Sequence, residues 1–121
     1  MSAAKYNMVV NQGEDFVMQI TIKDQSGVPV SLVGSTFEGQ LRSKYDSNVV
    51  AASFSFELGS DPGTLLVKMS NTVTAAIPTE AATTANKRPL TEFIYDIEQT
   101  KAGVKTRILE GIVSVSPNVT R

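Results

Sequence analysis

The sequence predicts an all-β sandwich of about seven strands, and three observations carry that reading. Apolar residues recur at every second position through most of the chain, the period at which a strand turns one face to a core and the other to water. Clusters of Gly, Pro, Asn, Asp and Ser interrupt these runs at short intervals, as turns between strands do. Helical spacing is confined to one short stretch.

In chain order, "DFVMQITIKD" sets Phe16, Met18, Ile20 and Ile22 on one face and Gln19, Thr21 and Lys23 on the other, a strand with one buried side. "DQSG" (Asp24 to Gly27) ends it. Val28, Pro29 and Val30 read as a short extended edge piece, because Pro has no N–H to give a central ladder. Next, Phe37, Gly39, Leu41 and Tyr45 alternate with Glu38, Gln40, Arg42 and Lys44. "YDSN" (Tyr45 to Asn48) breaks the run, and Val50, Ala52, Phe54, Phe56 and Leu58 return in phase. Two in-phase runs around a polar link predict a β-hairpin. "GSDPGT" (Gly59 to Thr64) is a further turn, and "LLVKM" aligns Leu65, Val67 and Met69 in another strand.

The pattern changes at "SNTVTAAIPTEAATTANKRP". Ser70 or Asn71 can cap a helix, and Val73, Ala76 and Ile77 share a helical face, so one helical turn is expected near Thr72–Ile77. Pro78 stops it, and the Ala/Thr-rich remainder to Pro89 reads as a long surface loop, of the kind that is often mobile or functional. "LTEFIYDIEQT" then puts Phe93, Tyr95 and Ile97 opposite Glu92, Asp96 and Glu98. "KAG" (Lys101 to Gly103) suits a tight connection into "VKTRILEGIVSVSP", where Leu109, Val113 and Val115 alternate with polar residues and Gly111 is expected to mark a bulge. No repeat or linker divides the chain. Residues 1–121 form one sandwich domain, with an extended N-terminal arm (Met1 to Val10) and a short C-terminal tail (Ser116 to Arg121).

Composition narrows the chemistry. The chain of 121 residues is long enough to bury a core, roughly 65% of its accessible surface at this size. Eleven basic and twelve acidic residues leave a net charge of −1, without the basic footprint that nucleic-acid binding needs. The sequence has no Cys and no His. Disulfides, thiolate metal sites and a cysteine nucleophile are excluded, and so is the commonest general base near neutral pH. No run approaches the ~20 apolar residues of a membrane-spanning helix, and the N-terminus carries no apolar stretch of signal-peptide length. Synthesis in the cytoplasm and no membrane partner are the expectation.

Each candidate site has an ordinary structural reading beside it. Glu14 and Asp15 are adjacent, so on a strand they face opposite ways and suit strand-entry solvation better than catalysis. Glu92, Asp96 and Glu98 share a face on which a cation can gather, while Asp24, Asp46 and Asp61 sit in turns. Neither set has the alternating ligands of a calcium loop. No catalytic, cofactor or metal residue is assigned. "NVT" (Asn118 to Thr120) is a glycosylation sequon without a secretory context. The residues best suited to contact a partner are Arg42, Lys44 and Tyr45 in the hairpin, and Lys87 and Arg88 in the long loop.

Two stretches also carry a resemblance. "GEDFVMQITIKDQSGVPVSLVGSTFEGQLRSKYDS" and "FIYDIEQTKAGVKTRILEGIVSVSPNVTR" are similar to small structural proteins of tailed bacteriophages. Those share a Gly-acid-aromatic strand start, a D-x-x-G turn, P-[IV]-x-L-x-G, and a closing R-x-L-x-G run ending in P-x-V-T-R. The resemblance covers the chain apart from Asn71 to Pro89. Gly13, Phe16, Leu32, Gly34, Phe37, Leu41, Tyr95, Asp96, Arg107, Leu109, Gly111 and Pro117 match it. It implies an immunoglobulin-like sandwich, similar to the N-terminal domain of upper baseplate or tail-fibre attachment proteins, and structural rather than catalytic roles for the matching residues. The implied function is a non-enzymatic virion adaptor without cofactors, assembled in the host cytoplasm. Its partners are other virion proteins and copies of itself in a symmetric assembly. A head-decoration or neck (head–tail connector) protein fits the same features. A carbohydrate-binding module is a further alternative, with Tyr6 and Tyr45 as the rings to test, but the chain has no Trp platform.

Overall fold

The computed structural model describes residues 4–44, 49–79 and 90–117. Nine strand segments and one helix follow in order: β1 (Ala4–Lys5), β2 (Met8–Asn11), β3 (Phe16–Thr21), β4 (Ser35–Arg42), β5 (Ala52–Ser53), β6 (Ser55–Leu58), β7 (Thr64–Met69), α1 (Asn71–Ala75), β8 (Thr91–Lys101) and β9 (Val104–Ser116). One sheet runs β1-β9-β8-β4-β5, with β2 also on β9; the other runs β3-β7-β6. All neighbours are antiparallel except β1 and β2, which lie parallel to β9. Chain crossings between a β9-β8-β4 sheet and a β3-β7-β6 sheet reproduce the strand arrangement of an immunoglobulin-like sandwich.

The apolar alternation found in the sequence is the inner face of each sheet. Leu41, Leu65, Val67, Ile97, Val113 and Val115 are fully buried, in one core with Phe54, Phe93 and Tyr95. Phe54 is the hub of an aromatic cluster, with ring centres 5.9 Å from Tyr95, 6.4 Å from Phe16 and 6.4 Å from Phe56. A Cβ on Gly39 would come within 2.9 Å of the Phe54 ring, so the absent side chain makes room for the hub.

Three expectations are refined. The return run after "YDSN" is not one hairpin arm. Ala52 and Ser53 pair with β4, but Ser55 to Leu58 pair with β7 in the opposite sheet. Phe54 is the crossing point, its N–H still bonded to the Gly39 carbonyl at 2.9 Å. The bulge lies not at Gly111 but at Ile108: Ile97 faces Leu109 while Glu98 faces Arg107, leaving Ile108 over. Of the expected N-terminal arm (Met1 to Val10), the described part carries strands β1 and β2, which pair with the chain's own β9 and put Met8 and Val10 in the core.

Gly111 has a different task. A Cβ there would fall on the Tyr6 carbonyl oxygen, so glycine lets the N-terminal strand approach. Tyr95, opposite Gly111 on β8, uses the same gap, and its hydroxyl donates to the Tyr6 carbonyl at 2.5 Å. Burial, reinforced by Tyr6 and Glu110, pushes the Tyr95 phenol well above its ordinary range. The Asn7 side chain accepts from the Ile112 N–H at 3.0 Å and completes the attachment.

Helix α1 forms where its spacing indicates, over Asn71–Ala75, with Ser70 as N-cap accepting from the Val73 N–H. Asp15, the strand-entry carboxylate, accepts from the Asn71 N–H at 2.7 Å and so caps a helix distant in sequence. Thr74 is fully buried; its hydroxyl donates to the Glu14 carbonyl at 2.8 Å and accepts from the Gly13 N–H at 3.1 Å. With Gln12 donating to the Ile77 carbonyl at 2.9 Å, the helix fastens the turn between β2 and β3.

The "KAG" connection is a two-residue turn, because Lys101 pairs with Val104. Ala102 and Gly103 both have positive φ, 53° and 80°, the combination of a type I′ turn that matches strand twist.

Candidate functional site

The outer face of the six-stranded sheet gathers the most varied set of polar side chains. Its geometry follows from the bulge. On a regular strand, residues three apart face opposite sides. The extra residue at Ile108 reverses the phase of β9, so Arg107 and Glu110 both come to the outer face. Between them across β8 lies Asp96, paired in register with Glu110 on one side and Gln40 on the other. The Arg107 Nε stands 3.4 Å from Asp96 Oδ2, and its Nη1 stands 4.0 Å from Glu110 Oε2.

Arg42 closes this group from β4, in register with Ile94 and donating to the Gln40 side-chain oxygen at 3.0 Å. These residues line an open depression of about 140 Å³ with Ile94 at its apolar end. That volume is below the roughly 300 Å³ of a typical small-molecule site, and the ion pairs are solvent-exposed, each contributing at most about 1 kcal/mol. Such a surface can hold a partner's mixed charges in register.

Apolar and acidic areas flank the depression. Ile112 faces Ile94 across the β8–β9 ladder and Val9 lies beside Ser114; Val9 and Ile112 are both exposed. At the other end Glu38 and Glu98 are directly opposite each other, a like-charge pair flanked on β9 by Arg107. The carboxylate row Glu92, Asp96 and Glu98 does not converge as a metal cage, since Arg107 is paired with Asp96 and stands opposite Glu98. Among the described residues no three acidic side chains are grouped to hold an ion.

The sequence-derived candidates are distributed unevenly over this picture. Arg42 belongs to the face, and Lys44 is exposed just beyond the end of β4. Tyr45, Lys87 and Arg88 lie outside the described residues, as do Asp46 and the sequon. Tyr6 is half exposed on the N-terminal strand, its carbonyl engaged by Tyr95. Sequence reading did not anticipate Gln40, Arg107 and Glu110 as companions of Arg42. Only the bulge brings Arg107 and Glu110 to one face beside Asp96. The chain matches no known family model and no curated protein sequence.

Proposed function

We propose that the protein is a small, non-enzymatic virion structural protein of a tailed bacteriophage, an adaptor that docks neighbouring tail or baseplate subunits. One observation about the fold carries the docking part of this reading. A single sheet face presents Arg42, Asp96, Arg107 and Glu110 around an apolar residue, with Ile112 and Val9 beside them. Alternating charges select a partner by complementarity and set its register, while the apolar residues supply area to bury. The virion part rests on the sequence resemblance. Repetition in a symmetric particle would convert weak single contacts into firm attachment.

The test is incorporation. The double variant Arg42→Glu with Lys44→Glu should keep the wild-type circular dichroism and melting behaviour, because both residues sit at the sheet's margin. In complemented particles its copy number, counted by quantitative mass spectrometry, should fall several-fold. Full incorporation would remove this face from the docking reading, and absence of the wild-type protein from purified virions would remove the virion reading itself.

A further inference from the structure

We propose that β3 is a self-complementary edge, through which two copies of this chain pair antiparallel about a two-fold axis at Gln19. The inference does not depend on the docking face, which lies on the other sheet. Among the described residues strand β3 has a partner on one side only, β7. The Ile22 N–H donates to the Gly63 carbonyl at 2.7 Å, and the Ile22 carbonyl accepts from the Val30 N–H at 3.0 Å, so Ile22 turns its backbone towards the β7 side. In an antiparallel ladder this parity repeats every second residue. The N–H and C=O groups of Val17, Gln19 and Thr21 therefore point away from β7, and no hydrogen bond to another described residue occupies them.

The side chains agree with an uncovered edge. Phe16, Met18, Ile20 and Ile22 face the core but are only partly buried, whereas Leu65, Val67 and Met69 on the neighbouring β7 are buried. Natural edges are usually protected by charge, proline or a bulge, but "FVMQIT" has none of these. Val17 is 60% exposed on the outer face.

Charge and parity together choose the occupant and the register. A two-fold antiparallel pair must set outward-pointing residues against each other. Placing Gln19 opposite Gln19 of the second copy puts Val17 against Thr21 and Asp15 against Lys23. On the inner side Met18 then meets Ile20, and Phe16 meets Ile22. Asp15 and Lys23 are the charged residues nearest the two ends of β3, so this register joins opposite charges at both ends of the seam. Asp15 Oδ1 also accepts from the Asn71 N–H, so the seam uses its other oxygen, and Asp24 is held within its own turn, accepting from the Ser26 and Val28 N–H groups. The second copy extends the three-stranded sheet across the axis. An edge contact of this length buries less than the roughly 1,200 Å² of a stable interface, so the pair is weak in solution.

A cysteine-free chain allows a direct test. Hydrogen-bonded antiparallel residues stand about 5.5 Å apart at Cα, inside the roughly 4.4–6.8 Å that a disulfide spans. Gln19→Cys should therefore give a disulfide-linked dimer under mild oxidation, at least tenfold faster than a Lys105→Cys control on the distant hairpin. Val17→Cys and Thr21→Cys should each link poorly alone but form a mixed dimer together. By sedimentation, Lys23→Asp should weaken self-association several-fold, and adding Asp15→Asn to it should restore much of the loss, because the like charges at both ends are removed while the acceptor for the Asn71 N–H is kept. A Gln19→Cys rate equal to the Lys105→Cys control would overturn the proposal. So would preferential self-linking of Val17→Cys, which requires another register.

Discussion

Strands β2 and β3 are consecutive in the chain and both lie at sheet edges, yet the molecule treats them oppositely. "MVVN" in β2 buries Met8 and Val10 almost completely, while "FVMQIT" in β3 leaves Phe16, Met18 and Ile20 only partly covered. The alternation is the same, so the local pattern does not decide the difference. Attachment does. The N-terminal strand is held by the gap at Gly111, by the Tyr95 hydroxyl and by Asn7, and the turn after it is fastened to α1 through Thr74 and Gln12. Among the described residues nothing comparable reaches the outer side of β3. A strand edge is available to a partner when the fold has spent no side chains closing it.

The largest effect should come from the gap itself. Gly111→Ala places a methyl group on the Tyr6 carbonyl, and relief requires moving the N-terminal strand away from β9. A loss of about 3 kcal/mol is expected, read as a lowered urea midpoint with early proteolysis near Tyr6. Wild-type stability would show that the attachment is not needed. Next is Thr74→Val, which keeps the shape but leaves the Gly13 N–H and Glu14 carbonyl unpaired; the expected cost is about 1–3 kcal/mol.

Tyr95→Phe should be smaller, about 1 kcal/mol at neutral pH for one hydrogen bond, and it carries a pH signature. The folded phenol titrates above its ordinary value of 10.0. Above pH 10 the unfolded chain loses this proton while the folded chain retains it. The stability due to Tyr95 is thus fully present below pH 10 and declines as pH rises towards the folded value. The gap between wild type and Tyr95→Phe should narrow over that range; a constant gap would mean the hydroxyl is not buried against Tyr6.

Much of this was legible in the sequence, and the rest was not for definite reasons. Strands β3, β4, β7, β8 and β9 are long enough for their alternation to show, and Ser70 with Val73 and Ile77 marks α1. The division of the return run at Phe54 leaves no local trace, because the alternation continues unbroken while the strand changes sheets. Met8 and Val10 form too short a period to stand out, and their partner β9 is distant in sequence. Gly111 drew attention for the wrong reason, since a glycine in a strand signals either a bulge or a close approach, and here it is the second. The same uncertainty concealed the site. Until the bulge is placed at Ile108, Arg107 and Glu110 fall on opposite faces, and Arg42 has no visible companions.

The contrast between the two edges can be read directly by amide hydrogen exchange in dilute protein. Parity predicts that Val17, Gln19 and Thr21 exchange fast while Met18 and Ile20, bonded to β7, are protected, and that the fast amides slow as concentration rises. Protection of Val17, Gln19 and Thr21 equal to that of Met18 and Ile20 in the dilute monomer would contradict an open β3 edge.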